Sequence, residues 1–528
     1  VRSGATDDVA AAGHGRSIWV GEHAVLDVAG RAATAINDQG NTYGRVQDGG
    51  NIVLGSQLDA SLGVVVAPDL FVVLRPGSRL EASGSAATVL SNGAPAALAG
   101  AGGTIAISSA NGLYLDGQMN ARAGAAGAPA GTLSVALDAP AYRIAALTAR
   151  ADQGRNLVVS QHTVEDALAG FGDADAAADA LVYGRGTLSS AQVEAGGFGN
   201  LNLLSNGTIS FAGDVSVRMA QSLRLFSISM GMTEASTSTA RVLLAAPYVM
   251  LAGATDNGAK DGFTRPSSTI PPSQRNSESV LLTQAGFIDV RDTVDLGSLR
   301  ALHAPDGSVS HIGTGFTLVD LRSQSDIRLL GGRGSQLALS NQPYTTLLNA
   351  PGNLTLTAAQ VYPDTGAVTR IVAGAGGKRD GVAAYEEGST ITVRRNTDTL
   401  PPMPYSAFGS LRLAADIIDQ GGVLRAPLGL LEVGVSDTSG ITSRVSLLPG
   451  SVTSVSGRGL VMPYGGTVDG VSYQYAGQNI ALTGVGAATI SGELRAGLQL
   501  AGKDVRVGDD AMLDLSGGGQ LLGAGFVT

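Results

Sequence analysis

The residues that could do chemistry are carboxylates in three loose groups: Asp509 beside Asp510, Asp416 with Asp419, and Asp289 with Asp292 and Asp295. Two carboxylates a few residues apart on one outward face can serve as acid and base, as in polysaccharide-cleaving enzymes. Each group also sits where a turn is expected, and Asp is a preferred turn residue, so the turn reading is preferred for all three. The histidines (His14, His23, His162, His303 and His311) are scattered, with no zinc-site spacing and no Cys to support one. They read as surface residues. Gly184-Arg-Gly186 and Gly457-Arg-Gly459 lack the strand-to-helix setting in which a Gly-rich loop cradles phosphate. Asn206-Gly-Thr208 and Asn353-Leu-Thr355 match a glycosylation acceptor, but both stand at strand starts, where Asn caps or stacks. Lys378-Arg-Asp-Gly381 is read as a surface turn, and Tyr464, Tyr473 and Tyr475 either offer faces to a sugar or cover the side of the fold. An enzyme of this kind needs a dense mixed cluster of Asp, Arg, Lys and Tyr, and the sequence shows none. No catalytic, cofactor-binding or metal-ligating residue is assigned, no cofactor is expected, and the chain is expected not to be an enzyme.

What must position these residues is a repeat. Its clearest copy runs Gly409-Ser-Leu-Arg-Leu-Ala414, Ile417-Ile418, Gly421-Gly-Val-Leu-Arg-Ala-Pro-Leu428 and Gly429-Leu-Leu-Glu-Val-Gly434. Apolar and polar residues alternate within each scrap, as on a strand with one face inward, and each scrap stops at Gly, Asn or Asp. Gly409, Gly429 and Gly450 are expected to mark equivalent corners one coil apart. One phrase, Gly-[Asn/Ser/Thr]-[Leu/Ile]-x-apolar, recurs at Gly50, Gly103, Gly131, Gly199, Gly207, Gly352 and Gly409. A second, strand–Gly turn–strand–Gly, recurs at Ile18–Gly30, Leu74–Gly84, Leu448–Gly457 and Val507–Gly517. Chained together they give coils of roughly 20 to 25 residues that cannot bury their apolar faces except by stacking. Short, evenly spaced strands fit a propeller or sandwich, or a parallel β-helix; hairpin signals are scarce, and the β-helix is preferred.

Composition agrees. The chain has 528 residues, 75 Gly, no Cys, 4% aromatics and 15% charged residues. That is ample apolar surface without bulk, which suits a narrow, layered core. A net charge of −10 with only three lysines (Lys260, Lys378 and Lys503) disfavours a nucleic-acid partner. No run approaches 18 apolar residues, so no transmembrane segment is expected. The start, Val1-Arg-Ser-Gly-Ala-Thr-Asp-Asp8, does not read as a signal peptide, and the chain reads as an internal piece of something larger. Its apolar end, Leu521-Leu-Gly-Ala-Gly-Phe526, is then expected to fray or to associate end to end. The absence of Cys is either chance in a high-alanine, high-arginine genome or exclusion from a chain exported unfolded through a pore, and the second is preferred.

β-Helix coils are expected over 1–140, 199–252, 280–373 and 405–528. Interruptions are expected at 141–198 (with a capped short helix at Ser189–Gly197), at 253–279 as a mobile loop, and at 374–404 around one strand and a Pro401-Pro-Met-Pro404 brake. Extruded loops are expected at 435–444 and 457–478.

The run Gly421–Gly429, followed by Leu447-Leu-Pro-Gly-Ser-Val-Thr-Ser-Val-Ser456 and Gly459-Leu-Val-Met-Pro-Tyr-Gly-Gly-Thr467, resembles the filamentous haemagglutinin-type exoproteins of Gram-negative bacteria. So do Ile18–Asp27, Gly197–Thr208 and Leu513–Gly519. The resemblance implies an all-β, right-handed parallel β-helix (β-solenoid) exported by two-partner secretion through an outer-membrane transporter barrel. It also implies a place at the cell surface as an adhesive rod segment that meets a host or bacterial receptor or glycan. The family's Asn-Pro-rich secretion domain has no match here. Two alternatives stay open: a carbohydrate-active β-helix enzyme, and the stalk of a contact-dependent toxin delivery exoprotein.

Overall fold

The computed structural model describes residues 16–91, 93–139, 151–163, 168–233, 239–254, 279–303, 309–332, 345–379, 382–437, 440–468, 472–475, 478–481, 487–489, 492–494 and 497–526. The chain is almost entirely β and divides into two compact units. One comprises Val1–Ile228, Val242–Tyr248 and Ala254–Arg265; the other Ser229–Arg241, Val249–Gly253 and Pro266–Thr528.

In the first unit, successive copies of the Gly phrase stack as rungs of one parallel sheet. Asn51–Leu54, Thr104–Ser109, Thr132–Leu137 and the start of Asn200–Ala212 pair in order, with Ile52, Ile105, Leu133 and Leu201 in register. All four side chains are buried, so one phrase position becomes one apolar column. At two of the rungs the closeness of the stack requires the preceding glycine. A Cβ on Gly103 would lie 2.0 Å from the Gly50 carbonyl oxygen, and one on Gly131 2.2 Å from that of Gly103. The strand–turn–strand phrases stack likewise: Ser17–Val20 on Phe71–Leu74, and Val25–Asp27 on Arg79–Glu81.

Segment 141–198 is not the interruption its broken rhythm suggests. Ala151–Ser160 and Tyr183–Ser189 are rungs of a parallel sheet, the latter between Gly112–Leu115 and Ala151–Ser160, out of chain order. They belong there because Leu157, Val159 and Leu188 alternate onto the apolar interior. The short helix is present at Ser190–Ala195, with the Ser189 side chain accepting from the Gln192 N–H and Gly196 closing it. Ala121 N–H donates to the Gly196 carbonyl at 3.1 Å, so the helix end takes the place of a strand above Gln118–Asn120. Asn111-Gly112 makes a corner between Thr104–Ser109 and Gly112–Leu115, and Asn206-Gly207 a bend within Asn200–Ala212, whose two ends pair with different strands; neither is a hairpin. The Ser109 and Ser205 hydroxyls accept from the backbone N–H groups of Gly112 and Gly207 there.

The second unit carries three parallel sheets. In the first, Leu281, Val319, Leu354, Ile391, Ile418, Val445 and Val505 form one column. In the second, Ile288, Ile327 and Val361 form a column that continues through Leu424, Thr453 and Leu513. In the third the column is Val294, Leu348, Ile371, Leu413, Val433 and Leu500. The chain visits the sheets in turn, a pattern consistent with a β-solenoid. Corner residues stack too: the Ser443 hydroxyl donates to Asp416 Oδ1 and Asp416 N–H to the Ser389 hydroxyl, each pair 27 residues apart. The spacing between stacked positions is thus unequal here, 20 residues from Leu413 to Val433 in the third sheet but 27 from Asp416 to Ser443. Gly409 and Gly429 do stack, but Gly450 precedes a strand of a different sheet. A Cβ on Gly429 would lie 1.9 Å from the Gly409 carbonyl oxygen, a backbone atom that cannot step aside. Gly429→Ala is therefore expected to cost about 3 kcal/mol or more, seen as a lower urea midpoint for the second unit. Gly450, open on all sides, is at positive φ, and Gly450→Ala should cost only about 1 kcal/mol.

Antiparallel hairpins leave the coils at many corners. Those at Ala375–Arg379/Val382–Tyr385, Ser436–Asp437/Gly440–Ile441 and Val461–Val468/Ser472–Tyr475 fall in expected interruptions. Those at Ala32–Ile36/Thr42–Val46, Ala86–Ser91/Ala94–Ala99 and Gly297–His303/Val309–Gly315 fall where continuous coils were expected. In the first of these Asn37 makes the turn, its side chain accepting from the N–H groups of Gln39 and Asn41. Within 374–404, Thr390–Arg395 is a rung between Asn353–Ala358 and Ile417–Gly421 rather than part of an extrusion. Residues 255–278 of the expected mobile loop lie outside the described residues.

Candidate functional site

The carboxylates singled out in the sequence do not converge. Asp509 and Asp510 form an exposed turn, with Asp510 at φ 58°. Asp416 is a buried corner residue that accepts from Ser443 and from the Gly388 N–H. Asp419 is not in a turn: it faces outward on Ile417–Gly421 and pairs with Arg444 at 3.7 Å. Asp292 is a corner at φ 58°, and Asp295 accepts from Asn349 at 2.9 Å. Asp289, also read as a turn residue, lies on a strand and leads to a dense polar cluster among the described residues of the second unit.

Alternation builds that cluster. In the second sheet Ile288, Ile327, Val361 and Leu424 are buried inward, so Asp289, Arg328, Tyr362 and Arg425 project from the opposite face on successive rungs about 4.8 Å apart. The Arg328 guanidinium takes both Asp289 oxygens, Nε to Oδ1 at 2.9 Å and Nη2 to Oδ2 at 3.0 Å, and lies 5.3 Å from the Phe287 ring centre. Burial works against its charge, but the hydrogen bonds and attraction of Asp289 outweigh that and raise its pKa. Burial, reinforced by Asp326, raises the Tyr362 phenol above its ordinary 10.0. Burial likewise raises Asp326 and Asp364 above 3.8, against the hydrogen bonds and arginine charges that favour the anions.

A Pro-rich strap crosses this face. The coil holding Thr390–Arg395 and Ser410–Ala414 has no strand in the second sheet, and the sheet closes up so that Val361 pairs directly with Leu424. Pro401, Pro402 and Pro404 explain the missing rung, because none has an N–H to give to a ladder. The buried Arg425 Nη1 donates to the carbonyls of Pro401 (3.0 Å) and Pro402 (2.9 Å) and to Gln360 Oε1 (2.9 Å). Gln360 Nε2 in turn donates to Asp326 Oδ2 at 3.0 Å. Asn396 ties down the start of the strap through the carbonyls of Ser323 and Gln324, and Ser406 its end through that of Pro363.

Chemically the cluster offers two carboxyls with raised pKa values beside a phenol and two guanidiniums, the ingredients of acid–base chemistry. Its geometry is that of a clamp, with polar groups spent on neighbouring rungs and on the strap. The raised carboxyls have a sign. Folding favours their protonated forms, so their stabilisation is full below about pH 3.8 and is lost as pH rises through the folded values. Asp364→Asn should therefore gain stability relative to wild type as pH rises above about 4, a trend that urea melts at a series of pH values would follow.

The sequence reading expected no such cluster. Its members lie far apart in the chain, Asp326 to Gln360 by 34 residues and Gln360 to Arg425 by 65, so no fixed period aligns them. The other candidates are plain in the structure. His23 is in a turn at φ 68° and His162 is exposed; His14 lies outside the described residues, and His303 and His311 are on hairpin strands whose side chains are not described. Gly184-Arg-Gly186 runs along a strand, whereas Gly457-Arg-Gly459 follows one in a turn. Asn206 is buried and donates to the Ala139 carbonyl, which keeps it from modification; Asn353 is exposed and accepts from the Thr390 N–H. Asp380 and Gly381 lie outside the described residues, as do the side chains of Tyr464, Tyr473 and Tyr475. Among the described residues no group of three or more His, Cys, Asp or Glu could hold a metal ion, and no helix is long and apolar enough to cross a membrane. Compared with known proteins, the chain matches no family model, no curated protein and no solved structure.

Proposed function

We propose that the chain is a structural, adhesive segment of a right-handed parallel β-helix in a secreted exoprotein of a Gram-negative bacterium. On this reading it is exported through an outer-membrane transporter barrel and displayed at the cell surface, where its ligand is a receptor or glycan of another cell. One observation carries the non-enzymatic part. The cluster best suited to catalysis uses its arginines to staple strands and strap together: Arg328 on Asp289, and Arg425 on Gln360, Pro401 and Pro402. In-register apolar columns and extruded hairpins support the scaffold part, since a scaffold that repeats coil by coil carries its specific contacts on extruded loops; export and surface display rest on the sequence resemblance.

A second reading, a carbohydrate-active enzyme, is favoured by the raised carboxyls Asp326 and Asp364. Two assays on the purified chain separate them: release of reducing ends from polygalacturonate and hyaluronate, and saturable binding of labelled chain to epithelial or bacterial cells. The proposal expects cell binding and no turnover. Turnover that vanished in a folded Asp364→Asn variant would replace it with the enzymatic reading.

A further inference from the structure

The first unit holds a cavity that neither the repeat nor the clamp explains. Tyr114, Thr187 and Val158 stand in one row across three rungs of a sheet, alternating with the inward Leu113, Leu115, Leu157, Val159 and Leu188. The chain leaves this sheet after Ser160 and returns at Tyr183. Its return crosses the outer face, where the Val182 N–H donates to the Tyr114 hydroxyl at 2.8 Å. Between sheet and crossing segment lies a cavity of about 130 Å³, some ten times the least space that holds one water. One wall is apolar, formed by Val158 and Val182; Ser160, Thr187 and Asp116 add oxygen atoms. The Ser160 hydroxyl donates to the His162 carbonyl and keeps lone pairs free to accept.

Arg185 gives the cavity its chemistry. It lines the cavity and is exposed, and its guanidinium has no hydrogen-bond or ion-pair partner among the described residues. Other arginines are matched: Arg75 with Glu22, Arg328 with Asp289, Arg412 with Asp437 and Arg444 with Asp419. Arg185 is level with Gly112, and Asp116 is four residues further along the neighbouring strand, roughly 13 Å away at about 3.3 Å per residue. We propose that this cavity binds the carboxylate-bearing sugar unit of an acidic glycan, a hexuronate being the simplest case. The guanidinium fork matches a planar carboxylate. The Tyr114 and Val158 row suits the apolar face of a sugar ring, and Ser160, Thr187 and Asp116 accept from its hydroxyls.

The site gives the adhesive reading a ligand and rests on that reading only for its biological use; the assay below is blind to cell attachment. Saturation-transfer NMR on the full chain would compare D-glucuronate, D-glucose and acetate as probes. Expected are millimolar binding of glucuronate, about tenfold weaker binding of glucose and acetate, and a loss of about tenfold or more in Arg185→Met. Thr187→Val, which keeps the cation, should weaken glucuronate and glucose alike. Acetate binding as well as glucuronate would reduce the site to an anion contact and overturn the proposal. So would glucuronate binding left unchanged by both variants, or none at all.

Discussion

Leu413→Asp is expected to unfold the second unit at ordinary temperature, while Arg412→Asp, one residue away, leaves it folded. Leu413 is fully buried between Ile371 and Val433 in the third-sheet column. A carboxylate there has no partner. It must either stay charged in an apolar interior or protonate at neutral pH, and with the lost leucine contacts the cost is about 5 kcal/mol or more. That equals the whole stability of many domains. Arg412 faces outward and pairs with Asp437 across a partly exposed gap. Losing that pair costs about 1 kcal/mol, and the new carboxylate meets Glu432 on one neighbouring strand but Arg370 on the other, so the total stays at about 1–2 kcal/mol. Denaturant melts of the two variants would measure the difference, and equal damage would mean that the inward and outward faces of this strand are misassigned.

The second large effect belongs to the clamp. Arg425→Met preserves the length of a buried side chain but removes the donor to Gln360, Pro401 and Pro402. Hydrogen bonds from a charged group are worth about 1.5–3 kcal/mol each, offset in part by the relief of burying the charge, so a net loss near 3 kcal/mol is expected. The loss should be local. The strap displays Tyr405 at its surface, followed by Ser406, and chymotrypsin should cut after Tyr405 more than tenfold faster in the variant if opening becomes easier by about 1.4 kcal/mol or more. Cleavage at the wild-type rate would show that the anchors at Asn396 and Ser406, with the stiffness of the prolines, hold the strap without Arg425.

Much of the scaffold was legible because the stack turns a local phrase into a column. The glycines before Asn51, Thr104, Thr132 and Asn200 announce consecutive rungs of one sheet. Ser189 and Gly196 likewise mark the helix ends, because caps are local chemistry. What failed was whatever depends on register between coils of unequal length. Gly450 looked equivalent to Gly429 by spacing, yet a coil of 27 residues places it at another corner. Asp289 looked like a turn residue because nothing nearby reveals Arg328 as its partner, 39 residues on. Strands Ala151–Ser160 and Tyr183–Ser189 were hidden by the irregular chain between them and by a strand order that departs from chain order. The prolines of 401–404 signalled a break, but not that their carbonyls would be held by a buried arginine.

The central claim is parallel, in-register stacking of coils, and the absence of natural cysteines permits a direct test. Thr355, Thr392 and Asp419 occupy one outward column on three successive rungs. Introduced cysteine pairs at 355/392 and 392/419 should therefore lie within disulfide reach, with Cα atoms about 5–6 Å apart. The account predicts rapid cross-linking of both pairs under mild oxidation and little for 357/392, which is two residues out of register. Cross-linking of 357/392 in preference to 355/392, or of neither in-register pair, would contradict the stack.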